Sequence, residues 1–306
     1  MWKIEIETPE GFRALASSVE WNGQPALALR SVTAVPANLV IPAVWDGKPV
    51  VIGDDCFYGV AGLESVTISE GITAVGPGAF SRCPDLTRAS LPSTLKGVSP
   101  DCFSDCKALT WVDMPDTMSG VIGCSAFNGC YGLVGMYLPE GITNIDRSAF
   151  NRNARLTTVK LPKSLHSIGK HAFYRCTDLQ TADLPSGLIG LDFGAFEGCS
   201  SLQRMVIPER VREVPDYCFL WNSSLEEVDI RMPEGCFGYA AFGGCTSLRR
   251  VRIAARYCAI PYDAFRTCGP TLICAPEGSS AHEYAKAYGL AFSRYEDGSD
   301  DSRSSL

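Results

Sequence analysis

A histidine, a cysteine and an aspartate lie close together in the stretch HAFYRCTD of this 306-residue chain, at His171, Cys176 and Asp178. These residue types can form a nucleophilic site, in which histidine deprotonates the thiol and an acid orients the histidine. A Cys176–His171 pair of this kind would make the protein a cysteine-nucleophile enzyme. Comparison with the neighbouring segments of the chain shows whether these residues form a reactive site or belong to a repeated structural pattern.

Neighbouring segments show that the cysteine recurs and the histidine does not. The segment GAFEGCSSLQRMVIP, residues 194–208, repeats the Phe, Cys and Leu at the same offsets, whereas SAFNRNARLTTVKLP, residues 148–162, has Asn153 in place of the cysteine. Residues that recur at a fixed period are expected to serve a repeated architecture. We therefore interpret Cys176 as a structural position and His171 as a solvated turn residue, with the enzyme as a remote alternative.

The repeat covers most of the chain with a period of 23 residues, apart from one step of 24 between Phe103 and Phe127. A leucine follows six residues after the repeat Phe in nine copies, and the last copy slips to Leu272. Each copy then reads L-x-x-V-x-L. The repeat phenylalanines are Phe57, Phe80, Phe103, Phe127, Phe150, Phe173, Phe196, Phe219, Phe242 and Phe265.

The V-x-L part of each copy alternates with the period of a β-strand, so its apolar residues face one side. Proline ends this strand in six successive copies, where it stops further ladder pairing. A single coil of this length leaves its apolar side exposed, so coils must stack and share a core. The sequence therefore predicts one elongated, mostly β solenoid of about ten coils.

The coil I-G-x-x-A-F-x-x-C-x-x-L-x-x-V-x-L-P, read from Ile168 to Pro185, resembles the BspA-like leucine-rich repeat family. The resemblance covers roughly Leu39 to Phe292. It implies a leucine-rich repeat solenoid that forms a right-handed superhelix with a parallel sheet on its concave face. It also implies a binding role such as adhesion, often at bacterial surfaces, no enzymatic activity, and no fixed set of ligand-binding residues.

Four segments are expected along the chain: an N-terminal cap with a partial first coil (1–43), the solenoid (44–275), a C-terminal cap helix (276–293) and a disordered acidic tail (294–306). Ser280 and Glu283 predict a capping box at the start of the helix, and Gly289 predicts its end. The tail is predicted to be disordered because it is polar and has almost no apolar residues.

Composition limits the partners and the compartment. A net charge of −7 argues against nucleic-acid binding, which needs a cationic surface. Membrane insertion is not expected, because the most apolar run is broken by Pro36 and Pro42 and no segment approaches the ~18 uninterrupted apolar residues of a membrane span. The amino terminus lacks a signal-peptide pattern, which predicts a cytoplasmic protein as written, or a surface protein if the chain belongs to a longer exported one.

The 14 cysteines could indicate disulfides or a metal site, but ten of them occupy repeat positions beside the Phe. We expect buried free thiols there, since neighbouring cysteines would point the same way rather than towards each other. The chain has no C-x-x-C pair and three histidines, so no metal site and no cofactor are predicted. The ten are Cys56, Cys83, Cys102, Cys106, Cys130, Cys176, Cys199, Cys218, Cys245 and Cys268.

If the recurring positions of the repeat are structural, binding should use the outward-facing strand positions, where the copies differ. Stacking would place Trp111 near Tyr137, ringed by Arg88, Asp113 and Lys160, and aromatic residues with arginine nearby are typical of binding hot spots. This predicts a site for a protein or glycan partner, unless the two rings have no function.

Further along the strands the outward positions become charged, starting with Arg204. These charges predict either cross-strand ion pairs or a site for an acidic partner, and Arg204 is therefore added to the predicted partner-binding residues.

Leu220 and Trp221 follow a repeat Phe where other copies have polar or small residues. Exposed on a coil edge, they predict a second contact or homo-association. Two hypotheses thus stand before the enzyme: a non-enzymatic binding scaffold, and a structural or assembly module of a larger bacterial surface protein.

Overall fold

A computed structural model describes residues 3–8 and 11–295 and confirms the solenoid. The chain forms a mostly β stack of parallel coils with about 12 turns and a short C-terminal helix. Each coil contributes a segment to each of three walls. The two turns beyond the ten Phe-containing copies lie at the two ends of the stack, where residues 38–41 and 291–294 add strands to the first of these walls. We number the strands in chain order.

The first wall, the principal sheet, is built from the V-x-L segments. In Ser65–Ile68, for example, Val66 and Ile68 are buried and the intervening Thr67 is exposed. The strands are β4 (Asn38–Ile41), β7 (Ser65–Ile68), β8 (Arg88–Ser90), β10 (Trp111–Asp113), β12 (Gly135–Tyr137), β14 (Thr158–Lys160), β17 (Arg204–Ile207), β19 (Glu227–Ile230), β21 (Arg250–Ile253), β23 (Leu272–Ala275) and β24 (Ala291–Arg294).

The second wall comes from the apolar residues that follow the proline, and its strands also pair in parallel from coil to coil. Its first strand, Lys48–Ile52, is preceded by a short antiparallel partner, Val44–Trp45. The strands are β5 (Val44–Trp45), β6 (Lys48–Ile52), β9 (Gly97–Val98), β11 (Ser119–Ile122), β13 (Gly141–Ile145), β15 (Ser167–Ile168), β16 (Gly190–Leu191), β18 (Glu213–Val214), β20 (Glu234–Phe237) and β22 (Tyr257–Ala259).

The third wall is a column of tight turns that we call the turn face. Each repeat Phe points inward and stacks on the next, as Phe150 does on Phe173 at 5.3 Å between ring centroids and 5° between planes. In the first nine of the ten Phe-containing copies, the second residue before the Phe and the second after it adopt left-handed backbone conformations, for example His171 (φ 53°) and Arg175 (φ 55°). These two reversals fold the chain around the buried ring. The outward-pointing residues at and between them form the turn face.

Before the first coil, the N-terminal residues form an antiparallel sheet of β1 (Lys3–Glu7), β2 (Arg13–Trp21) and β3 (Gln24–Ala34). Strand β3 then pairs in parallel with β6, so this sheet covers the first edge of the second wall. Phe12 is buried, and its ring stacks on Phe57 with 6.1 Å between the ring centroids. The phenylalanine column is therefore one ring longer than the 23-residue repeat predicts.

At the other end, α1 (Ser280–Tyr288) covers the last ring, with Tyr284 edge-on to Phe265 at 5.9 Å. The predicted helix end at Gly289 is confirmed, with φ 67°. The predicted cap residue is wrong: Ser279 caps the helix by accepting a hydrogen bond from the backbone of His282 (3.2 Å). Ser280 instead accepts one from the Cys258 backbone, which ties the helix to β22.

Strand β24 follows the helix and pairs in parallel with β23, so a strand rather than the helix closes the principal sheet. Of the segment expected to be a disordered tail, residues 296–306 lie outside the described part of the chain, and Arg294 is the last residue of β24.

Candidate functional site

The outward side of the principal sheet, which we call the strand face, carries all six predicted partner-binding residues at exposed positions. Trp111 is 49% exposed and Tyr137 is 38% exposed, both large values for aromatic side chains on a strand. Val134, directly before β12, is a further exposed apolar side chain that the sequence analysis did not single out. The residues are Arg88, Trp111, Asp113, Tyr137, Lys160 and Arg204.

Parallel register places the predicted residues beside one another on two pairs of strands. Arg88 of β8 lies opposite Trp111 of β10, and Tyr137 of β12 lies opposite Lys160 of β14. The Lys160 ammonium is 4.9 Å from the centre of the Tyr137 ring, within cation–π range. The negative charge of Asp116 raises the pKa of the Tyr137 phenol, so both signs of charge act on this side chain.

The ladder of the principal sheet is interrupted between these two pairs. Strands β4, β7, β8 and β10 form one sheet and β12 and β14 another, and in the described part of the chain β10 and β12 share no ladder pairing. The coil between them is the one with 24 residues. A register shift occurs in its second-wall strand, β11, between Gly120 and Val121. Trp111 and Tyr137 thus flank a discontinuity of the strand face.

The charged end of the strand face forms ion pairs between neighbouring coils. The Glu227 carboxylate lies 3.8 Å from the Arg204 guanidinium and 3.7 Å from that of Arg250. This geometry fits the cross-strand pairing interpretation. Arg204 is on β17, in a different sheet from Lys160 on β14, so the structure does not join it to the aromatic pair.

The Cys176–His171 pair does not form an accessible nucleophile. Cys176 is fully buried, and its thiol donates to the Phe150 carbonyl oxygen (Sγ···O 3.1 Å). Burial raises the pKa of Cys176 to about 12, which disfavours the reactive thiolate. His171 lies in a turn as expected, but its interpretation as a solvated residue is wrong, because its ring packs edge-on against Tyr174 (5.1 Å) and Phe193 (5.2 Å).

The repeat cysteines share one interaction across the coils. Where the third residue after the Phe is cysteine, its thiol donates to the carbonyl oxygen of the Phe one coil earlier, as Cys106 does to Phe80 at 2.9 Å. Asn153 reproduces the bond with its amide nitrogen at 3.0 Å from the Phe127 oxygen. All 14 cysteines are free.

These contacts predict strongly graded thiol reactivity. Treatment of the native protein with a thiol-specific reagent should label Cys124, the one exposed cysteine among the 14, within minutes. Buried repeat thiols such as Cys130 and Cys218 should react only after denaturation, because they are covered and burial raises their pKa values. Mass-spectrometric mapping checks this, and fast native labelling of Cys176 would revive the enzyme hypothesis.

The predicted second contact, Leu220 and Trp221, lies on the turn face rather than beside the strand-face residues. Trp221 is 55% exposed, and its ring rests over Gly244 of the next coil. Both residues line a cleft of about 520 Å³ that also contains His171 and Glu197. Sequence reasoning missed the other aromatic walls of this cleft, although reading the columns two and three residues before each Phe would have shown Tyr217 and Phe193.

The repeat and its three-walled coil define a leucine-rich repeat solenoid. The family profile described as "BspA type Leucine rich repeat region (6 copies)" matches residues 46–157 and 143–271. The chain belongs to the BspA-type leucine-rich repeat family. Such repeats form scaffolds that are typical of binding or structural modules.

Solved structures of other leucine-rich repeat proteins are similar to this chain. A leucine-rich cell surface protein from Faecalibacterium prausnitzii is 21% identical with a TM-score of 0.56, and the match covers 97% of this chain and 96% of that one. A leucine-rich repeat protein from Bacteroides ovatus is 19% identical with a TM-score of 0.49 and coverages of 92% and 98%. A leucine-rich repeat protein from T. pallidum is 23% identical with a TM-score of 0.47 and coverages of 79% and 91%. The comparison with curated proteins gives no match.

Within residues 3–8 and 11–295, no helix has the length and apolar character to span a bilayer. The same residues contain no cluster of three or more His, Cys, Asp or Glu side chains arranged to hold a metal ion.

Proposed function

We propose that this chain is a non-enzymatic binding scaffold that engages a protein partner through the strand face, centred on Trp111 and Tyr137. The observation that carries the proposal is the exposure of two large aromatic side chains beside the interruption between β10 and β12. Exposed rings of this size are enriched at the centres of protein interfaces.

The surroundings of the two rings support a protein partner. Arg88, Asp113 and Lys160 supply both signs of charge around them, which gives a polar rim to an apolar centre. Paired strands fix the backbone beneath these side chains, so binding has to order side chains but no loop, which limits the entropy cost. At the charged end, Glu227 already pairs with Arg204 and Arg250, so those groups offer less to a partner.

Affinity capture with the full chain tests the proposal. Wild-type protein is immobilised and exposed to lysate and surface extract of the source organism and its habitat, beside the double variant Trp111→Ala/Tyr137→Ala. We expect the double variant to lose at least about tenfold of a captured protein, because loss of a hot-spot residue typically costs 2 kcal/mol or more. Protease treatment of the extract should abolish capture, whereas persistence would indicate a glycan partner.

A matched control removes two other exposed rings. Tyr257 and Tyr262 are both highly exposed but lie away from the strand face, in β22 and on the turn face. Tyr257→Ala/Tyr262→Ala should therefore capture as much as wild type. Equal capture by wild type and the Trp111/Tyr137 variant would disprove the strand-face site. Wild type that captures nothing would favour the structural or assembly module.

A further inference from the structure

The cleft on the turn face has a specific origin in the sequence. Gly194 and Gly198 occupy both left-handed positions around Phe196, with φ 58° and 73°. The coil after it has Tyr217 and Trp221 at the same two positions. A coil without side chains there, next to a coil with large ones, leaves a trough across the stack.

Bulky residues are uncommon in the left-handed conformation, and their presence there points to a role beyond the turn itself. Tyr217 has φ 57° and Trp221 has φ 62°, whereas the coils on either side have glycine at the Trp221 position, Gly198 and Gly244. A Cβ on Gly244 would lie 2.7 Å from the Trp221 ring, so that glycine makes room for the indole.

Aromatic rings form the walls of the trough. His171, Phe193 and Tyr217 come from three consecutive coils and meet edge to face, at 5.2 Å between the first two centroids and 5.2 Å between the second two. Tyr174 adds a further ring beside His171 at 5.1 Å. This contiguous row, together with Trp221, gives the cleft apolar walls made of flat surfaces.

The floor of the trough is polar and rich in hydrogen-bond acceptors. Glu197 lies between the two glycines with its side chain only 10% exposed, and its carboxylate is 3.7 Å from His171 Nδ1, beyond hydrogen-bond distance. Asn151 Oδ1 and His171 Nδ1 are buried without a hydrogen-bond partner in the described part of the chain. Buried polar atoms that lack partners are unusual and favour a ligand that can donate to them.

The charges around the cleft favour a neutral ligand over a cation. Lys170 already lies over Phe193 at 4.6 Å, and Arg175 lies over Tyr174 at 5.2 Å. These two cations occupy ring faces and repel another positive charge. Burial raises the pKa of Glu197, and burial together with the Lys170 charge lowers the pKa of His171, so both side chains tend towards their neutral forms.

We propose that the turn-face cleft lined by Tyr174, Phe193, Glu197, Tyr217 and Trp221 binds a neutral saccharide. Sugar rings have apolar C–H faces that pack on aromatic rings, and their hydroxyl groups donate hydrogen bonds to carboxyl and amide oxygens. The cleft volume of about 520 Å³ falls within the range of roughly 300–1,000 Å³ found for small-molecule sites. The site is separate from the strand face and does not depend on the function proposed there.

Isothermal titration of the full chain with cellohexaose, maltohexaose and mannohexaose tests the proposal, with choline as a cationic probe. We expect at least one hexasaccharide to bind with a Kd of about 1 mM or tighter, and choline not to bind. Trp221→Gly should weaken binding about tenfold or more, because it removes a flat wall of the site. This variant should fold, since it copies Gly198 and Gly244 and relaxes a left-handed residue.

Two further variants separate the site from the fold. Glu197→Gln keeps the side-chain shape and should also weaken binding, because one of its two acceptor oxygens becomes an amide nitrogen that can only donate. Thr267→Gly makes the same kind of backbone change as Trp221→Gly in the last coil (φ 57°) and should bind like wild type, as should the Trp111→Ala/Tyr137→Ala protein.

Three outcomes would overturn the saccharide site. The first is no binding of any of the three hexasaccharides at about 10 mM, far above the expected Kd. The second is binding of choline in place of the sugars. The third is sugar binding that Trp221→Gly and Glu197→Gln leave unchanged.

Discussion

Replacing Phe150 with alanine is expected to lower the free energy of unfolding by about 3–5 kcal/mol, as large-to-small changes of a buried ring do. Phe150 is fully buried and stacks on both Phe127 (5.4 Å) and Phe173 (5.3 Å). Each coil is stabilised mainly by its neighbours, so a cavity here weakens two interfaces at once. Urea unfolding followed by circular dichroism measures the loss.

Phe12→Ala is the matched control, because Phe12 is also buried but stacks on a single repeat ring, Phe57, at the longer distance of 6.1 Å. We expect it to cost less than Phe150→Ala and to leave the central coils cooperative. Equal losses for the two variants would show that the phenylalanine column does not couple neighbouring coils.

The second large effect is a stabilisation. Asn222 occupies the repeat cysteine position, is fully buried, and neither its amide nitrogen nor its amide oxygen has a hydrogen-bond partner in residues 3–8 and 11–295. Asn222→Cys should raise the free energy of unfolding by about 1–3 kcal/mol, since it removes buried unpaired polar atoms. The new thiol would donate to the Phe196 carbonyl oxygen, as Cys199 does to that of Phe173 at 3.1 Å.

Asn153→Cys provides the comparison, because Asn153 occupies the same position but donates to the Phe127 carbonyl oxygen at 3.0 Å and leaves only its amide oxygen unpaired. Its stabilisation should be smaller than that of Asn222→Cys. Thermal unfolding under reducing conditions ranks wild type and both variants. A destabilised Asn222→Cys protein would contradict the assignment of Asn222 as an unsatisfied site.

Most of the fold was predictable because each coil packs mainly against the coil before it and the coil after it, so one repeat pattern describes the whole stack. Any residue in the frame meets its equivalent 23 positions away, so the stacking of Phe150 on Phe173 and the burial of Cys176 follow from spacing alone. The exposure of Trp111 and Tyr137 followed in the same way, from the alternation of side chains along a strand. That these two rings bind a partner stays a prediction.

Predictions from the sequence failed at residues whose contacts in the structure do not follow from the 23-residue spacing. Phe12 is 45 residues from Phe57, and its place in the column depends on the path of the N-terminal sheet. Ser279 and Ser280 are adjacent serines, and only the contact of Ser280 with the Cys258 backbone decides which one caps the helix. The packing of His171 against Phe193 depends on a side chain from the following coil.

The sequence by itself determined the solenoid, its coil length, the buried phenylalanine column and the thiols beside it, because each depends on apolar residues recurring at one fixed interval. The tertiary structure alone decided the interruption between β10 and β12 and the cleft over Glu197. Both arise from differences between adjacent coils, such as Gly194 beside Tyr217. A repeat specifies which positions touch, but the shape and charge of a surface depend on the particular side chains that stacking places side by side.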